Sequence, residues 1–136
     1  MIPPQQGLPF SPRLPDLVEV GGFDSQRDQF LAFHDANPHV LGAVLDLARQ
    51  MRAAGWERGS IGLIFERIRW LHAVRTRGSK YKLNNNFRAY YARLAMAVDP
   101  SLDGWFKLRR QPAEDGEWDP APMAELWGRT SWEVSP

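Results

Sequence analysis

The chain of 136 residues contains no cysteine. That absence excludes a disulfide framework, a thiolate nucleophile, a cysteine metal site and thiol redox chemistry. No segment approaches the roughly 18 continuous apolar residues of a membrane span. The opening "MIPPQQGLPFSPRLPD" has neither the basic start nor the apolar run of a signal peptide. The expectation is a soluble, non-exported, cytoplasmic protein without a membrane partner. The chain also lacks a phosphate-binding glycine loop, an HExxH motif, a nucleophile elbow and a kinase signature. No catalytic residue, metal ligand or cofactor is therefore assigned, and a non-enzyme is expected.

Acidic residues are scarce in the middle of the chain. Residues 38–110 carry 14 Lys or Arg against 5 Asp or Glu, a net of +9, although the whole chain has a formal net charge of +1. Residues 1–37 have a net charge of −3 and residues 111–136 one of −5. A basic middle between acidic ends suits a surface for polyanions, or a charge neutralised by the chain's own termini folding back.

Proline and glycine punctuate what remains. Pro3, Pro4, Pro9, Pro12 and Pro15 make residues 1–23 an extended segment that can dock through Leu8, Phe10, Leu14 and Leu17. A first helix is expected over 25–36, capped by Asp24 or Ser25. A second starts with Asn37 as cap and Pro38 in its first turn and stops at Gly55; its stripe is Val40, Val44, Leu47 and Met51. A third runs over 60–76. Ile61, Ile64, Phe65, Ile68 and Leu71 form its main stripe, and Leu63, Trp70 and Val74 form another on nearly the opposite side. Two apolar sides predict a central helix. Glu66 and Arg69 are spaced for a modest i, i+3 ion pair.

The basic connection "RGSKYK" leads to "KLNNNFRAYYARL" and a fourth helix over 87–98. Phe87, Tyr90, Tyr91, Leu94 and Val98 share one face of it. Arg88, Ala89, Ala92, Arg93, Ala95 and Met96 share the other, which is expected to be small, flat and basic. Such a face lets a helix backbone approach a groove or a phosphate ridge. Of Asn84, Asn85 and Asn86, one is expected to cap the helix, leaving two for a turn or for recognition. Asparagine can pair bidentately with adenine, and a helix N-terminus favours a phosphate. The candidate nucleic-acid contacts are Arg75, Arg77, Lys80, Lys82, Arg88 and Arg93 on phosphates, Asn85 and Asn86 near bases, and Tyr81 stacked on an unpaired base.

"SLDGWFKLRR" predicts a short fifth helix begun by Asp99 and Pro100. The remaining 112–136 is acidic, with four prolines and with Trp118, Trp127 and Trp132. The tryptophans are expected to pack back on the domain; the alternative is an acidic tail that covers the basic surface or engages a protein partner. "FHDANPH" gathers His34, Asp35, Asn37 and His39, types suited to a metal or to acid/base work, but termination and capping account for Asp35 and Asn37. His72 is expected to be a satisfied core histidine.

The run from "FLAFHDANPHV" through "LARQMRAAG", "FERIRW" and "KLNNNFRAYYARLAM" to "DPSLDGWFKLRR" resembles a family of small, functionally uncharacterised proteins of phages and bacterial genomes. The resemblance covers residues 30–110, and "FERIRW" with "KLNNNFRAYYARL" is its most specific part. It implies a phage or prophage setting, hence a host cytoplasm, and no activity. These readings converge on an all-α bundle of four to five helices over residues 24–111, with a trihelical or winged-helix-like unit and extended flanks. The expected function is nucleic-acid binding, to DNA before RNA. The alternative is a protein-interaction module, such as an inhibitor of a host or defence protein or a virion component.

Overall fold

The computed structural model describes residues 17, 25–76, 83–108 and 118–129. Five α-helices lie among them: α1 (Gln26–Ala36), α2 (His39–Ala53), α3 (Ile61–Thr76), α4 (Arg88–Val98) and α5 (Ala121–Arg129). The fold is an all-α bundle, and the described residues contain no sheet, only an isolated parallel bridge between Gly59 and Phe106.

Local chemistry sets most helix ends. The Ser25 side chain accepts a hydrogen bond from the Asp28 amide at 3.0 Å and so caps α1. Ser60 Oγ accepts from the Leu63 amide at 3.1 Å at the start of α3. Gly55, with φ 103°, takes the left-handed conformation after α2, where a side chain would be strained. Asn37 departs from its expected role as cap of α2. It is fully buried, and its Nδ2 donates to the Phe33 carbonyl at 3.0 Å, so it closes the end of α1 instead. Pro38 occupies the cap position of α2 and makes no side-chain cap.

The expected fifth helix after Asp99 is a single 3-10 turn, Pro100–Leu102, followed by Gly104 with φ 73°. Asp99 begins that turn, accepting from the Ser101 amide at 3.0 Å and from its hydroxyl at 2.6 Å, and it pairs with Arg49 of α2 at 3.0 Å. The chain then returns to the α2–α3 turn. Gly59 N donates to the Trp105 carbonyl at 3.1 Å, Trp105 Nε1 donates to the Trp56 carbonyl at 3.0 Å, and any side chain at position 59 would collide with the Trp105 ring.

The central helix is α4, not α3 as the two apolar stripes predicted. It packs against α2, α3 and α5. Tyr90, Tyr91 and Leu94 are buried on one side and Ala92 and Ala95 on another. Alanine lets neighbouring helix axes approach closely, so a helix with small residues between large ones is the one that can be surrounded. Phe30 of α1 stacks on Tyr90 at 4.9 Å and meets Tyr91 edge-on at 4.9 Å, and Trp118 sits edge-on to Phe30 and Tyr90 at 5.5 and 5.4 Å. Such contacts add to the apolar burial itself.

The acidic C-terminal sequence contributes to this core. Asp119 Oδ1 accepts from the Ala121 amide at 3.0 Å, α5 follows, and Trp127 is buried with its ring facing Gly42 of α2, 3.6 Å from where a β-carbon would stand. Leu17 is buried in the same core. Leu8, Phe10, Leu14 and Trp132 lie outside the described residues.

Candidate nucleic-acid interface

The core stripe of α3 forms as expected, with Ile64, Phe65, Ile68 and Leu71 buried. The other stripe faces outward: Leu63, Trp70 and Val74 are 48%, 53% and 54% exposed. Glu66, Arg67 and Ala73 are exposed with them. At 100° per residue these six positions share one side of the helix, with Trp70 near its middle. The Arg67 guanidinium lies 4.8 Å from the centroid of the Trp70 ring. An arginine over an indole face is attracted by the ring quadrupole.

A polar seam joins the flank of this face to the start of α4. Arg69 donates to Glu66 Oε1, to the Leu83 carbonyl at 2.7 Å and to Asn85 Oδ1. One guanidinium thus ties α3 to the turn that begins α4, using the forked geometry that lysine lacks. Arg88 Nε donates to the Asn85 carbonyl at 3.2 Å, and its Nη1 lies over Gly62, at 3.5 Å from where a β-carbon would stand. The arginine thus lies along the first turn of α3 at ordinary contact distance from position 62. Among the described residues of face and seam, Arg67, Arg69 and Arg88 stand against one carboxylate, Glu66, which Arg69 already engages.

The three asparagines have separate roles. Asn84 is the cap, its Oδ1 accepting from the Asn86 amide at 2.8 Å, and a 3-10 turn, Asn85–Phe87, leads into α4. Asn85 is exposed, but Arg69 holds its carbonyl oxygen, so its acceptor is committed within the chain. Asn86 is exposed beside Arg88. Arg93 is only half-buried and takes part in interactions of the fold. The face expected to be flat and open is closed at its centre, since Ala92 and Ala95 are wholly buried and Met96 is half-buried. The alanines serve helix packing, not the approach of a ligand. Arg75 lies in the last turn of α3, but its side chain, like Arg77, Lys80, Tyr81 and Lys82, falls outside the described residues.

Sequence reasoning missed Arg67, Trp70 and Arg69 as surface residues. One signal was available. The stripe Leu63, Trp70, Val74 is interrupted by Glu66 and Arg67, the i+3 and i+4 positions that a buried stripe fills with apolar side chains.

The histidine cluster disperses. His34 is buried, stacked on Phe30 at 6.0 Å with Tyr91 edge-on at 5.8 Å, and burial pushes its pKa down to about 4 against a partly opposing charge from Asp35. It lines a cleft of about 390 Å³ with Asp35, Leu31, Pro38 and residues of α5, whereas His39 and Glu66 are not among the lining residues. His72 is buried in α3. Among the described residues, no group of three or more His, Asp or Glu side chains is placed to hold a metal ion. No helix among them is long and apolar enough to cross a membrane. Asp99, near the α2 end of the bundle, is held below the usual carboxylate range chiefly by the Ser101 hydroxyl, with Arg49 adding to the effect and partial burial opposing it.

No family model, curated protein or solved structure matches the chain.

Proposed function

We propose that this chain is a nucleic-acid-binding protein whose contact surface is the outer face of α3 together with its seam to α4, rather than the alanine face of α4. The observation that carries the reading is the half-exposed Trp70 held under Arg67, beside Arg69 and Arg88. The sequence continuing from this face places Arg75, Arg77, Lys80 and Lys82 within eight residues that contain no acid. Clustered guanidinium and ammonium groups bind phosphates by releasing condensed counterions, and an exposed aromatic ring gives the same surface a contact for bases.

Fluorescence anisotropy of labelled random-sequence DNA, duplex and single-stranded, across a salt series tests this. Affinity should fall steeply as salt rises, and Arg67→Ala combined with Arg88→Ala should weaken binding and flatten the slope by about two. Absence of binding at low salt would remove the reading.

The second reading, a protein-interaction module, is favoured by Leu63 and Val74, whose exposure adds apolar area that phosphate binding does not require. A protein partner would give affinity that depends on Leu63 and Val74 and changes little with salt.

A further inference from the structure

We infer that the strand bound at α3 has unpaired bases and that Trp70 is the platform on which a base stacks. The inference rests on the proposed nucleic-acid reading and adds the class of ligand. A duplex keeps its bases stacked within the helix and offers grooves and phosphates, so an indole meets a base face there only where a base step is wedged open at a cost in unstacking. A single strand presents free base faces, which aromatic side chains accept with little regard to sequence.

Three features of the face fit that role. Trp70 is half exposed and the Arg67 guanidinium lies over its ring, so a base stacked on the exposed part of the indole would share the ring with a cation. Leu63 and Val74 stand about 10 Å and 6 Å along the axis from Trp70 on the same side, at 1.5 Å per residue, which supplies apolar edges against which neighbouring sugars and bases can lie. Charge complementarity names the polyanion: among the described residues of this face and seam, the arginines are opposed by Glu66 alone, and Arg69 pairs with it.

The test compares three labelled probes with the full chain: a mixed-sequence 20-nucleotide DNA strand, the same strand with abasic sugars throughout, and the duplex. Wild type is compared with Trp70→Ala and Arg67→Ala, and the thermal melting curve of each variant confirms the fold, which an exposed side chain does not maintain. The expected result is that wild type binds the intact strand roughly tenfold or more tightly than the abasic one, that Trp70→Ala erases this difference, and that its salt slope stays unchanged, since no phosphate contact is lost. Arg67→Ala should lower both affinity and slope. Equal binding of intact and abasic strands, a preference for the duplex, or an unchanged affinity in Trp70→Ala would overturn the stacking platform while leaving nucleic-acid binding in place. Failure of all three probes at low salt would overturn both, and would assign the Leu63, Trp70, Val74 face to a protein surface.

Discussion

Helices α3 and α4 look alike in composition, each with a large apolar stripe and arginines on another side, yet the bundle treats them oppositely. In α3 the second side, with Leu63, Trp70 and Val74, stays in solvent. In α4 the second side is closed at its centre, where Ala92 and Ala95 are fully buried among neighbouring helices, while Arg88 at its edge stays exposed. The difference shows that the size of side chains decides which helix can be central. A stripe of alanines leaves space that a neighbouring helix fills, whereas a Trp ring on the far side of an already packed helix needs another partner to bury it. Large and apolar is therefore no guarantee of core, and small and basic-flanked is no guarantee of a binding face.

The sharpest way to break this comparison is to place the same charge on both helices. Ala92→Glu puts an unpaired carboxylate at a fully buried site and should cost several kcal/mol, enough to prevent stable folding, while Leu63→Glu should alter stability by about 0.5 kcal/mol or less. Urea denaturation of the two variants checks this; similar midpoints would mean that the enclosed and open sides have been exchanged.

The C-terminal helix α5 supplies part of the enclosure around α4. Trp127→Ala should cost about 3–5 kcal/mol, as for other buried tryptophans, and truncation before Trp118 should destabilise the bundle by at least as much. Thermal melting of both variants is the measurement. Melting temperatures equal to that of the intact chain would show that α5 merely rests on the surface.

Burial also makes the aromatic core beside α4 acid-sensitive, through His34 of α1. Burial holds the His34 pKa at about 4 in the fold, against the ordinary imidazole value of 6.5. Above about 6.5 it is neutral whether folded or unfolded and contributes no pH dependence. As pH falls from about 6.5 towards 4, the unfolded chain takes up a proton that the native state refuses. Stability should then drop by about 1.4 kcal/mol per pH unit, near 3 kcal/mol in all. Chemical denaturation from pH 7 to pH 4 should show this slope, and His34→Phe should flatten it; an identical slope in the variant would assign the acid sensitivity elsewhere.

The seam between the two helices gives a smaller effect. Arg69→Ala removes the bonds to the Leu83 carbonyl and Asn85 and should cost about 1–2 kcal/mol, and Arg69→Lys should recover only part of it because lysine has no fork. Hydrogen exchange at residues 83–88 should accelerate in both variants. The smallest effect is expected on the open face, where Val74→Ser should leave stability within about 0.5 kcal/mol.

How much of this was legible depends on the distance over which each feature is decided. The start of α1 at Ser25, the start of α3 after Ser60, the stop at Gly55 and the cap at Asn84 rest on groups within about four residues of one another. The Glu66–Arg69 pair is equally local. Asn37 was misread because a polar residue between two helices can serve either one, and Phe33 of the preceding helix captured it. The helix expected after Pro100 gave way to a single turn because Trp105 and Phe106 are drawn to the α2–α3 turn, a partner some fifty residues earlier in sequence. The candidate site moved for the same reason. Asn85 was open to a ligand until Arg69, sixteen residues away, took its acceptor.

The sequence by itself determined an all-α protein, the ends of most of its helices, its segregated charge and its lack of thiol chemistry, because each depends on composition or on hydrogen bonds closed within a turn. Only the tertiary structure decided that α4 is the enclosed helix, that the helix within the acidic C-terminal segment belongs to the core, and that Trp70 and Arg67 face solvent. Those outcomes depend on which surfaces meet, and the burial of a side is shared between helices distant in sequence, so no single helix carries it in its own pattern.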